Sequence, residues 1–196
     1  MISNYNFFKA KTKKTIVFTL HLFLQINIQG DLLPNLSSLD LQTNKISSLW
    51  SFHSFPSLSK LCLSHNHVTQ MKQSSDKEKK SNIFFPNLKA LFLDNNEIKN
   101  ISSLHLGTIK KLETLFLHDN ELMSISNLQE LKMLQHLTLD RNKLECGCSD
   151  DFSQLTQLKE LYIEGNRIKF LQFFRHMKSL QRAFIGKNKI SVSLSN

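Results

Sequence analysis

Histidine, cysteine and carboxylate side chains are where this chain has the means for metal or acid–base chemistry. Among its eight histidines, His65 and His67 flank Asn66, and Cys62 comes from the same strand region. Two imidazoles two residues apart with a nearby thiol are ligand types that zinc accepts, but a structural site needs four ligands, commonly in two close pairs. Cys146 and Cys148, one residue apart, again lack a matching second pair. His118 lies beside Asp119. No Gly-rich phosphate loop, nucleophile elbow or tuned carboxylate dyad accompanies them. These residues therefore read as surface positions: no metal, no cofactor and no catalytic activity are expected.

The elements that carry them form a repeat. Leu36, Leu39, Leu41 and Asn44 are followed by Leu58, Leu61, Leu63 and Asn66, then Leu88, Leu91, Leu93 and Asn96. Further copies are Leu112, Leu115, Leu117 and Asn120; Leu134, Leu137, Leu139 and Asn142; and Leu158, Leu161, Ile163 and Asn166. A weaker copy is Leu180, Ala183, Ile185 and Asn188. The Asn-to-Asn steps are 22, 30, 24, 22, 24 and 22 residues. Leu-x-x-Leu-x-Leu-x-x-Asn at this spacing is the leucine-rich repeat signature.

The physical reason is the two-residue period of a strand. Leu-x-Leu puts two side chains on one side of a short strand, and no unit can bury that strip alone. Stacking the next unit buries it, at roughly 1.5–3 kcal/mol per large apolar side chain. The Asn falls where the chain turns out of the strand, and a buried amide there can serve backbone groups of its own and neighbouring turns. We therefore expect a solenoid of seven repeats, with strands of about three residues centred on Leu39, Leu61, Leu91, Leu115, Leu137, Leu161 and Ala183. Pro34, Pro56 and Pro86 each stand two residues before the first Leu of a unit, where a segment must stop and feed a strand. Between strands, runs such as Leu49, Phe52, Phe55, Leu58; Ile125, Leu128, Leu131, Leu134; and Leu171, Phe174, Met177, Leu180 predict a compact helical convex side.

Composition is that of a soluble globular protein, with 40% hydrophobic and 21% charged residues. Three cysteines, none well spaced for a disulfide framework, favour reduced thiols in an intracellular protein, cytoplasmic or nuclear. The net charge of +9 is concentrated in residues 1–30 and in the loop Thr69–Asn82, whose lysines read as a solvated loop. Neither nucleic acid nor a membrane is expected as partner. The sequons Asn35-Leu-Ser37 and Asn100-Ile-Ser102 matter only in a secreted chain.

Residues 1–30 form a basic and apolar N-terminal segment, and residues 31–196 form the repeat domain. Within the former, residues 1–14 read as a poorly ordered tail and 15–30 as an edge element. Three readings of the segment stay open: a distorted edge strand or cap, in which Leu22, Leu24 and Asn27 imitate a unit; a secretory signal, suggested by lysines before the apolar run Thr15 to Ile28; and disorder. At the other end no capping signal follows Ile185 and Ile190, which suggests a partner there or a longer array.

The units Asn44-Lys-Ile-Ser-Ser-Leu-Trp-Ser-Phe-His-Ser-Phe and Asn166-Arg-Ile-Lys-Phe-Leu-Gln-Phe-Phe-Arg-His-Met resemble one subfamily of leucine-rich repeats. It is the class typified by the nuclear regulatory subunit of protein phosphatase 1, the spliceosomal A-prime protein and an axonemal dynein light chain. The resemblance covers about residues 31 to 190, and the uneven steps resemble large multi-array members such as leucine-rich repeat-containing protein 9. It implies an α/β right-handed horseshoe with its parallel sheet on the concave face, intracellular residence and protein binding. The phosphatase-type C-terminal cap is not seen.

The informative surface is then the inner face of the sheet. The residue between the two leucines of each strand points away from the core: Asp40, Cys62, Phe92, Phe116, Thr138, Tyr162 and Phe184. Two residues further on, beyond the second leucine, come Gln42, Ser64, Asp94, His118, Asp140, Glu164 and Gly186. Phe92, Phe116, Tyr162 and Phe184, if exposed as one ladder beside Asp94, His118, Asp140 and Glu164, make a protein-binding surface that favours a basic partner. Bracing between strands would use the same aromatics. The expected function is a non-catalytic protein–protein interaction scaffold; the alternatives are a regulatory ribonucleoprotein component and a secreted or membrane-tethered adhesion module.

Overall fold

A computed structural model describes residues 14–17, 33–47, 55–71, 85–145 and 152–191. Leu22, Leu24 and Asn27, Leu49 and Phe52, Cys146 and Cys148, and residues 72–84 of the long insertion lie outside the described residues.

Eight strands of three residues each form one parallel sheet in chain order: β1 Thr15–Val17, β2 Ser38–Asp40, β3 Lys60–Cys62, β4 Ala90–Phe92, β5 Thr114–Phe116, β6 His136–Thr138, β7 Glu160–Tyr162 and β8 Arg182–Phe184. Strands β2 to β8 are centred on the seven positions that the motif singles out. Register is constant: Leu39, Leu61, Leu91, Leu115, Leu137, Leu161 and Ala183 pair in one row. Ahead of them Ile16 of β1 pairs with Leu39, one repeat length earlier, although β1 carries neither the Leu nor the Asn of the motif.

Beneath the sheet the leucines of each unit are sealed. Leu36, Leu39, Leu41 and their counterparts through Leu158, Leu161 and Ile163 are essentially inaccessible to solvent. Another buried row lies three residues before each first leucine: Leu33, Phe55, Phe85, Ile109, Leu131, Leu155 and Met177. The carbonyl of each accepts the N–H of that leucine, closing a tight turn, as in Leu36 to Leu33 at 3.0 Å and Leu134 to Leu131 at 3.1 Å. Pro34, Pro56 and Pro86 fill the second position of such turns, where a fixed φ near −65° is wanted and no N–H is used.

The return side is built of turns and 3₁₀ segments, Ile101–Leu104, Leu106–Thr108 and Gln172–His176. No α-helix occurs among the described residues. A few residues must carry the chain back across one coil, and the tighter 3₁₀ turn does this in short pieces. The spacing Leu171, Phe174, Met177, Leu180 falls on one of these segments and packs on the core, but it leaves out the residue that the core takes deepest. Phe173 is the fully buried residue, stacked on Phe152 with ring centroids 4.7 Å apart, while Phe174 and Leu171 are only partly covered. Among the described residues no helix is long and apolar enough to cross a membrane.

Candidate functional site

The turn after each strand decides how the face above it is presented. The residue before each repeat Asn is left-handed in every unit: Thr43, His65, Asn95, Asp119, Arg141, Gly165 and Lys187 have φ between 52° and 64°. The Asn that follows bridges two coils. Asn142 donates its amide N–H groups toward the carbonyls of Leu139 and Asp140 in its own turn and Leu117 in the previous one. Its carbonyl oxygen accepts the Leu122 N–H at 2.9 Å. Asn66, Asn96, Asn120, Asn166 and Asn188 repeat this set on equivalent partners. Asn44 donates to Leu41 and Gln42.

On the open face the aromatics do not form one ladder. Register puts Thr138 between Phe116 and Tyr162. Two pairs result: Phe92 and Phe116, edge to face at 4.9 Å, and Tyr162 and Phe184, stacked at 4.7 Å. Phe92, Phe116 and Tyr162 are half-buried, and only Phe184 is well exposed, at 43%. They brace neighbouring strands while leaving ring surface outward.

Acids and histidine line the row beside them. Asp94 is buried and accepts the Ser64 hydroxyl at 2.6 Å. His118 brings Nε2 to 3.6 Å from the other Asp94 oxygen and Nδ1 to 3.2 Å from the Thr138 hydroxyl. Asp140 accepts the Glu164 N–H at 2.6 Å, and partial burial raises its carboxyl above the usual carboxylate range. Arg141 grips Asp119 through two bonds of 2.5 and 2.6 Å, which holds the Asp119 carboxyl below its ordinary value. Glu164 is exposed, and a side chain at Gly186 would meet its carboxylate at 2.7 Å.

A third row was missed by reading only the residue between the two leucines. Lys60, Thr114, His136, Glu160 and Arg182 share the open face because residues two apart on a strand do. Glu160 contacts His136 at 3.4 Å, the Tyr162 hydroxyl at 3.3 Å and the Arg182 guanidinium. Lys60 places its ammonium 5.0 Å from the centre of the Phe92 ring. Period-two alternation alone would have found these residues.

Toward β2–β5 the face sinks into an open depression of about 370 Å³ lined by Asp40, Lys60, Cys62, Ser64, Phe92 and Asp94 among others. Its order Ser64–Asp94–His118 puts the carboxylate between hydroxyl and imidazole, so the histidine is not placed to take the serine proton. Among the described residues no three histidine, cysteine, aspartate or glutamate side chains gather to hold a metal ion. His67 faces Glu97 at 2.7 Å instead.

The family model for leucine-rich repeats matches residues 86–144. None of the curated proteins matches the chain. Among solved structures, internalin C2 of Listeria monocytogenes is similar with a TM-score of 0.68 and 24% identity, over 85% of this chain and 68% of that one. An internalin of the same organism, InlF, is similar with a TM-score of 0.68 and 22% identity, over 82% of this chain and 44% of that one. The functional domain of Listeria monocytogenes InlJ, which includes a cysteine ladder, gives 0.62 and 23%, over 83% of this chain and 32% of that one. This chain thus spans from about a third to about two thirds of those structures' length. Residues 86–144 are leucine-rich repeats by sequence, and the fold around them is that of a leucine-rich repeat solenoid.

Proposed function

We propose that this chain is a non-catalytic scaffold that binds a partner protein on the open, concave face of its sheet. The observation that carries this is the pair of aromatic contacts, Phe92–Phe116 and Tyr162–Phe184, on the one surface where the repeat places no packing demand. Partly covered aromatics with rims of polar and charged groups are the usual anchors of protein interfaces. Asp94, His118, Asp140 and Glu164 supply that rim. The likeness to internalin solenoids supports the scaffold and leaves the partner to the chemistry of this face.

Residence inside the cell, in cytoplasm or nucleus, is part of the proposal. It is supported by the sparse cysteines and by Cys62, a buried free thiol. So is membership of the class typified by the nuclear regulatory subunit of protein phosphatase 1, and its multi-array members such as leucine-rich repeat-containing protein 9, which the unit pattern supports.

Affinity capture from cell extract with the wild-type chain and with a Tyr162→Ala, Phe184→Ser double variant tests the reading. Proteins retained by the wild type should be lost from the variant at a temperature where both chains are folded, since loss of the half-buried Tyr162 ring lowers the variant's melting temperature somewhat. An unchanged set of captured proteins places the interface elsewhere.

A further inference from the structure

We propose that the depression between β2 and β4 receives one arginine side chain of the partner protein, its guanidinium held between Asp40 and Asp94 and its stem lying on Phe92. This rests on the open face being the protein-binding surface and names the chemistry that one part of it selects.

The floor of the depression is one strand and its turn. Cys62 and Ser64 are small, and both are buried although they lie on the outward side. Their neighbours rise around them, with Asp40 and Gln42 on one side and Phe92 and Asp94 on the other. Asp40 belongs to β2 and Asp94 follows β4, so two strand spacings, about 10 Å, separate their rows. The carboxylates face one cavity without closing on each other. No lysine or arginine forms an ion pair with either among the described residues, and the one basic group close to them is His118, whose Nε2 stands 3.6 Å from the second Asp94 oxygen. Asp40 spends one oxygen on the Gln42 N–H at 3.1 Å, and Asp94 accepts from Ser64 and Asn95. Of the two, Asp40 is the more open to a new donor, being half-exposed.

Two carboxylates, Asp40 and Asp94, line the depression together with the ammonium of Lys60 and the imidazoles of His65 and His118. Burial raises the Cys62 thiol above its ordinary value, and the charges of Asp40 and Asp94 push it the same way. The aromatic wall accepts cations as well. Lys60 of this chain already sits over Phe92, which shows that the ring face takes a positive charge at this edge of the site. A planar guanidinium suits the remaining space better than a second ammonium. It stacks on a ring and carries five donors in a fork, so that it can bond the half-exposed Asp40 while the Asp94 charge on the other side of the depression favours it.

The full chain is panned against a phage-displayed library of random linear peptides, and the selected peptides are synthesised. The selected peptides should share one arginine. Replacing it with citrulline, equal in shape and uncharged, should weaken binding roughly tenfold or more. Asp40→Asn and Asp94→Asn should each do the same, measured at a temperature where both variants are folded. Asp40→Asn, which keeps an acceptor for the Gln42 N–H, should leave the melting temperature unchanged. Asp94→Asn keeps an acceptor for Ser64 but loses the one that Asn95 uses, and should melt somewhat lower. Arg175→Ala, on the 3₁₀ segment of the return side and away from the open face, should leave these peptides bound. Peptides without a shared basic residue, arginine peptides indifferent to both substitutions, or an empty selection by the folded chain would each overturn the proposal. Capture of a cellular partner that survives Asp40→Asn with Asp94→Asn but fails with Tyr162→Ala and Phe184→Ser keeps the binding face and removes the arginine site. Capture indifferent to all four substitutions removes the face itself.

Discussion

The turn after each strand and the open face of the sheet obey different rules. At the turn that follows, Asn66, Asn96, Asn120, Asn142, Asn166 and Asn188 make the same backbone bonds coil after coil. On the open face the corresponding positions run Asp40, Cys62, Phe92, Phe116, Thr138, Tyr162 and Phe184, with no constant chemistry. The difference has a physical origin. Stacking demands identical backbone-facing contacts from each unit, because each coil's N–H and C=O groups must meet those of the next. The face meets only solvent or a partner, so it is free to vary. Stability should therefore reside in the constant positions and recognition in the variable ones.

The largest loss of stability is expected at the most buried point of the array. Leu115→Ala removes a side chain with no solvent exposure from the middle of the array, and should cost roughly 2–5 kcal/mol in urea unfolding. Asn142→Ala should come close behind, at about 2–4 kcal/mol. It strips the acceptor from the Leu122 N–H and the donors from Leu117 and Leu139, leaving buried groups in two coils at once. If Asn142→Ala costs no more than an average surface change, the Asn is not what fastens coil to coil.

A smaller effect is expected on the face. Phe116→Ala removes a half-buried ring in edge contact with Phe92, for about 1–2 kcal/mol by the same urea measurement. That exceeds what a fully exposed residue would cost, so binding and stability are not cleanly separable at Phe116. Phe184, more exposed and at the last strand of the sheet, should cost less. A Phe116 effect as large as that of Leu115 would make the aromatics part of the core and remove the distinction between the two regions.

What the sequence made legible follows the same division. The seven strand centres, the turn prolines and the Asn row were readable because stacking forces them to recur. Thr138 was visible between Phe116 and Tyr162, yet only the parallel register shows that it splits the aromatics into two pairs. The choice of Phe173 over Phe174 for the core was not readable, since both fit an apolar run and the 3₁₀ turn decides between them. Strand β1 carries no motif at all, and pairing with β2 is what defines it. The depression was hidden because it depends on small residues at Cys62 and Ser64 lying below larger neighbours, a property of relief and not of pattern.

Electrostatics across coils should count for less than either. Arg141 and Asp119 form a two-bond ion pair, but the Arg141 side chain is 61% exposed, so solvent screening leaves it well under about 1 kcal/mol. Asp119 has a depressed folded-state pKa. Its contribution is therefore present above the unfolded value near pH 4 and is lost as pH falls through the lower folded value. Wild-type and Arg141→Gln chains should differ slightly in melting temperature at pH 6 and converge in strong acid. A gap that widened on acidification would contradict the assigned sign.

A last effect concerns the left-handed residue before each Asn, where backbone geometry is constant but side chains are not. Gly165 alone among the seven suits that conformation without penalty. A non-glycine residue in the left-handed region costs roughly 1–2 kcal/mol, and a β-branched one lies at the upper end. Thr43 is both left-handed, at φ 56°, and β-branched. Thr43→Gly relieves that strain but frees the unfolded chain, which returns roughly 0.5–1 kcal/mol. The net expectation is a gain of about 1 kcal/mol, read as a higher melting temperature. Gly165→Ala should lose about 1 kcal/mol, because its new Cβ comes nearest to the flexible Arg141 side chain, at 3.3 Å, with the Arg141 backbone at an ordinary 3.6 Å, and the conformational penalty dominates. Opposite signs at the same position of two coils would show that the turn is imposed by stacking against local preference. Equal signs would mean that the side chains at Thr43 and Gly165, and not the shared backbone, set the energy of the turn.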